Sequence, residues 1–555
     1  MKIERKLDKN KAYLQERFHQ NSDIKFRDFT VGGRDGCVIF VDGMTNKAEI
    51  NEFVLMVMQR DQTQNSEPSL PEGHEQIPQS QGGAGRRAGA KAKDSKSSQA
   101  KSQNQSESQQ QTGQESAQEQ AAGGSQAAGQ ESMEQVLERV IATAEAELCT
   151  DMNKIVQAVL DGDCVLLLDG EEKALIAGVK QWDTRGIVEP PTSAVLKGPR
   201  EGFNEDLKTN TILLRRKIRS DQLVFENYQV GKYSNTKVMV AYIDDVVDKK
   251  ILGEVVNKIK AIDIDGVIDS SYLAKYLDIR TYSIFQQVGT SEKPDIVAAK
   301  LLEGRIAIFV DGSPIVLTIP YLLLEAFQSP EDYYERRFRA TFVRILRYFG
   351  LFLAVLVPAF YVSAQVFNLG LIPLRFTITI LNSIKGIPLS PASEMFFVVL
   401  IFEILNEASI RMPKYVGMAL SIVGALVLGE TAVSAGIVST PTLMIMALSA
   451  ISLYTVPELQ GTLSLLRIIF LFIAGMIGIF GIILGGIFLM NYLFELEAYG
   501  TPYTAPYAPL IRDDLKDSIF KDELLDMQTR PESIRHRNRI RLKRQEVKPP
   551  KSNKR

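Results

Sequence analysis

The chain has 555 residues and a formal net charge of −2, with 64 Lys and Arg against 66 Asp and Glu. This length exceeds what one hydrophobic core supports, so we expect several folding units. The three cysteines, an odd number without a CxxC pair, exclude a disulfide framework and a zinc-finger spacing.

Residues 1–60 are predicted to form a small α/β piece. The stretch "GCVIFVDG" (Gly36–Gly43) is an apolar strand that ends in a turn, and "NKAEINEFVLMVM" has helical periodicity. Residues 61–131 differ abruptly, because Asp61–Gln130 contains no aromatic residue and is dominated by Gln, Ser, Gly and Ala. Such a composition cannot bury enough apolar surface to offset chain entropy, so a disordered tract is predicted.

Residues 132–335 are predicted to form a cytoplasmic α/β domain. A helical pattern runs from Met133 to about Leu160, and the strand "DCVLLLDG" (Asp163–Gly170) then repeats the first one. Two further copies follow, "VMVAYIDD" (Val238–Asp245) and "IAIFVDGSP" (Ile306–Pro314). Each run ends in Asp, which fits either a turn after a strand or a metal ligand, and we favour turns.

An arginine-rich stretch, "LKGPREGFNEDLKTNTILLRRKIRS" (Leu196–Ser220), stands apart in this domain. Arginine binds phosphate well, but the spacing matches no P-loop and lacks interleaved aromatic residues, so we expect no nucleic-acid partner. The alternative is an intramolecular or intersubunit salt-bridge network. Its candidate members are Arg200, Glu201, Glu205, Arg215 and Arg216.

Residues 336–496 are predicted to be a helical membrane domain of four to five hydrophobic segments, ahead of a basic cytoplasmic tail at residues 497–555. The segments are Tyr348–Leu374, Met395–Ile410, Tyr415–Val438, Leu443–Val456 and Ile468–Phe494. The first carries no charge and exceeds the roughly 20 residues that a spanning helix needs. The predicted fold class is therefore mixed, with α/β modules followed by an α-helical membrane domain.

The basic residues on both sides of this block predict its orientation. Arginines in "YYERRFRATFVRILR" and in the tail favour the cytoplasmic face, which puts both termini in the cytoplasm. Five full crossings would separate the two flanks, so one segment is predicted not to cross. Met395–Ile410 is the best candidate for a re-entrant or interfacial helix, because it reaches Glu403 too soon for an ordinary span.

The stretch "EILNEASIRMPKYVG" (Glu403–Gly417) interrupts the apolar block with charges. Glu403, Glu407 and Arg411 are spaced i, i+4, i+8 and therefore share one helix face. Ionisable residues in a membrane are costly and usually face a bundle interior or a water-filled cavity. Two interpretations remain open: the face lines an ion path, or it anchors the helix against neighbouring subunits. Asn406 and Glu430 are further candidates for the same polar face.

Four stretches together resemble the A subunit of the GerA-type spore germinant receptors. They are "GPREGFNEDLKTNTILLRRKIR", "EILNEASIRMP", "SIVGALVLGETAVSAGIVS" and "YGTPYTAPYAPL", and they occur in the family's order. The chain departs from the family at Asn406, where Arg is usual, and at Glu430, where Gln is frequent. Neither charge is therefore a fixed requirement of the family's mechanism.

The resemblance implies a subunit of the inner membrane of the dormant spore that is not an enzyme and needs no cofactor. It would oligomerise and assemble with a transporter-like B subunit, which senses nutrients, and with a lipoprotein C subunit. Nutrient binding would then open a ligand-gated cation channel and trigger germination. A related sporulation-stage homologue, associated with the apparatus that releases dipicolinic acid, is an alternative, and a secondary transporter subunit is a weaker one.

Overall fold

The computed structural model describes residues 2–19, 21–31, 33–51, 145–180, 197–411 and 429–541. Two antiparallel α/β units precede a bundle of helices, and a C-terminal segment returns from the bundle to the second unit. This mixed architecture confirms the predicted combination of α/β modules and helices. The tract at residues 61–131 and most of the Tyr415–Val438 segment lie outside the described residues, so the predictions for them stay predictions.

The two α/β units have the same topology. The first contains α1 (Leu7–Arg17), β1 (Ile24–Val31), β2 (Arg34–Val41), β3 (Glu145–Cys149), α2 (Met152–Asp161), β4 (Cys164–Leu168) and β5 (Ala174–Gly178). The second contains α3 (Leu207–Lys217), β6 (Leu223–Val230), β7 (Thr236–Ile243), α4 (Lys249–Lys260), α5 (Ser270–Leu277), β8 (Gly289–Ser291), α6 (Pro294–Leu302), β9 (Ile306–Val310) and β10 (Val316–Ile319). The strand orders β1-β2-β4-β5-β3 and β6-β7-β9-β10-β8 correspond position by position, which indicates an internal duplication.

The correspondence extends to individual hydrogen bonds. Asn10 in α1 accepts from the backbone N of Glu4 at 3.0 Å and donates to its carbonyl oxygen at 2.6 Å. Asn210 in α3 makes the same two bonds to Asn204, at 2.8 and 2.6 Å. Both asparagines are buried, and a buried amide needs hydrogen-bond partners. Each finds them in the backbone N–H and C=O groups of a residue that precedes its helix.

The four apolar runs that end in Asp are strands β2, β4, β7 and β9, as predicted. The glycines after three of them, Gly43, Gly170 and Gly312, have φ values of 100°, 87° and 86°. These left-handed conformations are favourable for glycine alone among common residues, so the Asp-Gly steps are turns. The metal-ligand alternative therefore has no support at these positions.

The first unit crosses the predicted boundary at residue 60. Strand β2 pairs with β4, with Cys37 opposite Leu167, so the 1–60 piece and the start of the 132–335 domain form one sheet. An isolated pair of strands is at best marginally stable in water, because it has no second layer of apolar residues. The five strands, together with α1 and α2, supply that core. The predicted ranges therefore divide the α/β part in the wrong place.

A buried ion pair and one amide join the two units. Asn21 donates to the carbonyl oxygen of Leu223 at 2.6 Å and accepts from the backbone N of Phe225 at 2.8 Å. Arg215 of α3 contacts Asp23 through two nitrogens, with a shortest N–O distance of 2.8 Å. The Arg215 side chain is fully buried and that of Asp23 nearly so. The units therefore meet through charge-assisted bonds that water cannot replace.

The helical bundle follows directly after the second unit. Its helices are α7 (Glu331–Tyr334), α8 (Arg337–Val366), α9 (Leu374–Ile384), α10 (Pro391–Arg411), α11 (Thr440–Leu453), α12 (Gln460–Ile477) and α13 (Ile479–Glu495), and residues 429–434 are also helical. Among the described residues, two helices are long and apolar enough to cross a membrane, Arg337–Val366 and Pro457–Ile477. The predicted number of four to five membrane segments goes beyond this finding.

The apolar run Ile468–Phe494, predicted as a single crossing, consists of two helices. The chain breaks at Gly478, whose φ is 72°, and α13 folds back onto α12. A side chain at Gly478 would meet the ring of Phe367 at 2.9 Å, and one at Gly485 would meet Phe470 at 3.2 Å. Glycine therefore permits both the sharp reversal and the close contact between the helices.

Because of this hairpin, the bundle starts and finishes at the same end. Arg344, near the start of α8, donates to Asp517 at 2.9 Å, and Tyr492, near the end of α13, donates to Ser283 of the second unit at 2.8 Å. We call this the near end of the bundle, and the opposite end the far end. The segment Met395–Ile410 lies inside α10, a helix of 21 residues without a break. At 1.5 Å per residue it is about 31 Å long, so a re-entrant helix is not needed to return the chain to the near end.

The C-terminal segment, residues 497–541, packs between the bundle and the second unit. Tyr499 is buried and donates to the carbonyl oxygen of Leu277 at 2.6 Å, while Tyr503 is buried against Phe285 and Tyr321. This part of the predicted tail is therefore folded, and it fixes the position of the bundle relative to the second unit.

Replacing Arg215 by Met would remove the charge and leave Asp23 buried without its partner. Breaking a buried pair typically costs about 3–5 kcal/mol, so we expect little folded protein in membranes and a lower midpoint of thermal unfolding. Arg219→Met is the matched control, because Arg219 is 58% exposed in its pair with Asp161 and such pairs contribute about 0–1 kcal/mol. Equal losses in the two variants would contradict this role of Arg215.

Candidate functional site

A charged pair joins two helices inside the bundle. Arg467 of α12 donates through Nη2 to Oε1 of Glu403 in α10. Ser464, one turn earlier on α12, donates its hydroxyl to the same oxygen. The Arg467 side chain is fully buried and the Glu403 side chain is 23% exposed. The guanidinium therefore lies within the bundle, and the carboxylate lies at its edge.

The same arginine connects the two remaining central helices. Arg467 Nη1 donates to the hydroxyl of Ser449 in α11 at 3.1 Å, and that hydroxyl donates to the carbonyl oxygen of Ala354 in α8 at 2.6 Å. Its guanidinium also lies 6.0 Å from the centroid of the Phe402 ring, at the limit of a cation–π contact. Four helices therefore share one polar network. Within the described residues, Arg467 Nε is buried without a hydrogen-bond partner, so this network is not fully satisfied.

The network lies closer to the near end than to the far end. Thr462, which donates to the carbonyl oxygen of Ile284 at 2.7 Å, marks the level where α12 leaves the second unit. Arg467 follows on the same helix, about 8 Å deeper at 1.5 Å per residue.

The other charges of the predicted polar face lie on the surface. Glu407 accepts from Arg411 Nε at 2.7 Å, but their side chains are 60% and 78% exposed. Glu403 instead turns inward onto Arg467. The predicted pairing of Glu407 with Arg411 is therefore present, but it does not continue to Glu403.

The two remaining candidates, Asn406 and Glu430, lie apart from the Glu403–Arg467 pair. Asn406 accepts from the hydroxyl of Tyr454 at 3.0 Å, which links α10 to the end of α11. Glu430 is exposed in the helical residues 429–434. Their assignment to a pore or an intersubunit face stays a prediction.

The predicted arginine cluster divides between two places. Arg216 and Lys217 contact Glu201 at 3.4 and 2.9 Å, and together they hold the pKa of Glu201 below its usual value although partial burial opposes this. Arg215 points the opposite way, to Asp23 in the first unit. These contacts are intramolecular, as one of the predicted roles requires, and an intersubunit role stays a prediction.

The two remaining members of that cluster, Glu205 and Arg200, lie on the segment before α3. Glu205 offers its carbonyl oxygen to the backbone N of Gly312 at 2.9 Å, which fixes the turn after β9. Arg200 is exposed on the segment that precedes α3. The cluster is thus not one site.

Sequence reasoning did not single out Arg467 and Glu394, which are among the buried charged residues of the bundle. Arg467 is the one charged residue between Glu458 and Glu495, and this isolation in an apolar run is a signal that could have found it. Glu394 is fully buried at the far end and accepts from the backbone N and the hydroxyl of Ser439 at 2.6 and 2.7 Å. The carboxylate therefore sits at the start of both α10 and α11, where helix dipoles favour a negative charge.

A second charged cluster connects the α/β unit to the bundle. Glu325 lies between Arg305 and Lys300, with Lys300 Nζ 2.9 Å from Oε2. Burial alone would raise the pKa of Glu325, but the two cations together hold it below its usual value, so this carboxylate is ionised at neutral pH. Glu303, 3.3 Å from Arg305, is half-buried, and desolvation raises its pKa although Arg305 opposes this.

Helix α12 starts beside this cluster. Tyr321, fully buried after β10, donates to Glu458 at 2.8 Å, and Glu458 precedes the first residue of α12. Tyr321 therefore contacts Glu458 just before α12, and the same helix carries Arg467 further along.

The chain combines a duplicated α/β domain with a helical bundle, and two of the described helices are long and apolar enough to cross a membrane. The sequence profile described as "Bacillus/Clostridium GerA spore germination protein" matches residues 12–533. The chain therefore belongs to the GerA family of spore germination proteins. The resemblance read from the four sequence stretches is confirmed.

The relatives include several spore germination proteins. "Spore germination protein KA" of Bacillus subtilis (strain 168) is 38% identical over 391 residues, which cover 70% of this chain and 72% of that protein. "Spore germination protein B1" of the same organism is 28% identical over 535 residues, covering 96% and 98%. "Uncharacterized membrane protein YfkQ", also of that organism, is 39% identical over 393 residues, covering 70% and 77%.

A solved structure is also similar to part of the chain. The N-terminal domain of the A subunit of the Bacillus megaterium spore germinant receptor GerK3 aligns with 58% of this chain and 98% of that domain. The TM-score is 0.38 and the sequence identity is 20%.

Replacing Arg467 by Met would leave the Glu403 carboxylate facing an apolar bundle without its partner. We expect a lower level of the chain in membranes and a lower unfolding temperature, and we expect Glu403→Met/Arg467→Met to recover part of both losses, because it removes the stranded charge. Arg411→Met is the control, since its pair with Glu407 is exposed. A double variant as defective as Arg467→Met would show that the network stabilises the bundle by another means.

Proposed function

We propose that this chain is the A subunit of a nutrient-sensing germinant receptor, which oligomerises in the spore inner membrane as a ligand-gated cation channel. A transporter-like B subunit and a lipoprotein C subunit complete the receptor, and the B subunit holds most of the nutrient site. Family membership supports a role in germination. The Glu403–Arg467 pair is the observation that carries the channel proposal.

The pair is suited to gating because its two charges are unequally buried. Arg467 is enclosed by four helices, whereas part of the Glu403 carboxylate reaches the edge of the bundle, where a neighbouring copy would complete a path. While paired, the carboxylate is neutralised and attracts cations weakly. When the pair opens, an unneutralised carboxylate in a low-dielectric region attracts monovalent cations strongly.

Helix α12 provides the mechanical link for this opening. Its first turn adjoins Glu458, which Tyr321 holds against the second α/β unit, and Arg467 lies further along the same helix. A movement of the unit after nutrient binding would shift α12 relative to α10 and separate Arg467 from Glu403. The proposal therefore requires two positions of α12, one in which Arg467 contacts Glu403 and one in which they are separated.

In this proposal the near end of the bundle faces the cytoplasm, together with both termini. The supporting feature is the density of arginines where α8 begins. They are Arg336, Arg337, Arg339, Arg344 and Arg347. Positively charged residues next to a spanning helix favour the cytoplasmic side.

The channel proposal predicts a change in potassium release for Glu403→Gln that exceeds any loss of the chain. The amide removes the charge but can still accept from Arg467 Nη2 and the Ser464 hydroxyl, so the chain should reach higher levels than Arg467→Met, while potassium release per chain after nutrient addition changes. Glu407→Gln is the control, because Glu407 is exposed and pairs outside the network. Both quantities are measured in the same spores.

Normal abundance with unchanged potassium release in Glu403→Gln would contradict the channel proposal. Normal nutrient-triggered release combined with a failure to accumulate or release dipicolinic acid would instead favour the sporulation-stage homologue. The two outcomes use the same spores and are distinguished by the ion or molecule measured.

The orientation predicts which introduced cysteines react from each side of sealed vesicles. Lys516→Cys lies in the C-terminal segment at the near end, and Asn382→Cys lies on exposed α9 between α8 and α10. We expect an impermeant thiol reagent to label the first from the cytoplasmic side and the second from the opposite side. The native cysteines, Cys37, Cys149 and Cys164, are buried and should react slowly. Labelling of both sites from the same side would contradict the proposed topology.

A further inference from the structure

A loop of the second α/β unit has a defined shape at the near end of the bundle. This loop, residues 278–287, follows α5 and is closed by the fully buried Gln287. Gln287 accepts from the backbone N of Ile279 and of Arg280, both at 3.1 Å, and donates to the carbonyl oxygen of Arg280 at 3.2 Å. The oxygen and the nitrogen of the Gln287 amide thus both bond to the backbone of the loop and hold its turn in place.

Three contacts hold the loop at the level where α12 begins and α13 ends. The donor–acceptor pairs are Thr462 to the carbonyl oxygen of Ile284 at 2.7 Å, Tyr492 to the hydroxyl of Ser283 at 2.8 Å, and Arg280 to Glu495 at 2.7 Å. Both helices are apolar beyond this level. The loop therefore lies at the boundary between the apolar part of the bundle and the α/β unit.

The loop turns apolar side chains away from the protein at this boundary. Tyr282 is fully exposed, and Ile279 and Ile284 are 42% and 37% exposed. Phe494 near the end of α13 and Phe472 of α12 are also exposed, at 55% and 61%. Tyrosine is enriched where membranes meet water, because its ring is apolar and its hydroxyl is polar.

We propose that residues 278–287 rest on the lipid headgroups, with Tyr282 as an interfacial anchor. The occupant of this surface is lipid rather than a second copy, because the three contacts above place the loop at the level where the apolar lengths of α12 and α13 begin. The inference rests on the membrane orientation proposed above. It assigns to the α/β domain a direct contact with the membrane surface, in addition to its covalent connection to α8.

Fluorescence quenching by brominated lipids tests this contact in the full chain. The parent is Trp182→Phe, which removes the single tryptophan of the sequence. Tyr282→Trp is then compared with Tyr233→Trp, an 83% exposed position in the turn between β6 and β7, and with Phe472→Trp on α12. Each protein is placed in nanodiscs at one chain per disc, and in dense proteoliposomes, with lipids brominated high or low in the acyl chain.

We expect loss of emission at position 282 in both preparations, greater with bromine near the headgroup, and no loss at position 233. Loss at 472 without loss at 282 would overturn the proposed contact while leaving the membrane orientation intact. Absence of quenching at 472 would instead overturn the membrane proposal itself. Quenching at 282 in single-chain discs but not in dense proteoliposomes would show that a second copy covers the loop, and this would also overturn the proposal.

Discussion

The Arg467 guanidinium is enclosed between helices and stabilised by the Glu403 carboxylate, and the arrangement of the bundle in this structure depends on their contact. Each ion loses several kcal/mol of hydration when it is taken out of water, and its partner compensates only at short distance. Arg467 therefore fixes α12 against Glu403 of α10, and through Ser449 it fixes α11 and α8. A shift of α12 by one turn would strand the guanidinium among apolar side chains.

The same helix carries the constraint to the α/β domain. Glu458 and Arg467 stand at the beginning and in the middle of one rigid element, and Tyr321 bonds the first of them to the end of the second sheet. The ionised Glu325 and its two cations hold that sheet edge in place. The α/β domain is thus connected to the helix that carries Arg467 through the fully buried Tyr321 and its hydrogen bond to Glu458.

Local patterns in the sequence predict local structure well in this chain. The four apolar runs were recognisable as strands because they are short, β-branched and closed by turn residues, and Glu407 and Arg411 pair at the spacing expected for a helix. The misses concern partners distant in the chain. Strands β2 and β4 pair although the polar tract separates them in the sequence. The helical pattern predicted before Leu160 concealed β3, which forms a strand by pairing with β5. Glu403 was expected to share the polar face of Glu407 and Arg411, and its pairing with Arg467 was not predicted because Arg467 lies on another helix. The reversal at Gly478 was concealed because the surrounding run is apolar on both sides of the glycine.

The duplication of the α/β unit has an evolutionary consequence for the long polar tract. Residues 42–144 connect β2 to β3 in the first unit, and residues 244–288, which include α4 and α5, connect the corresponding strands β7 and β8 in the second. If both units descend from one ancestral gene segment, the two connections are homologous positions that have diverged independently. In the second copy this connection includes α4 and α5, and in the first it includes the polar tract, while the neighbouring strands of the sheet are specified by β1, β4 and β5. Natural selection for strand pairing would then place little constraint on the length of this connection. Its length could change between lineages while the strands around it are retained.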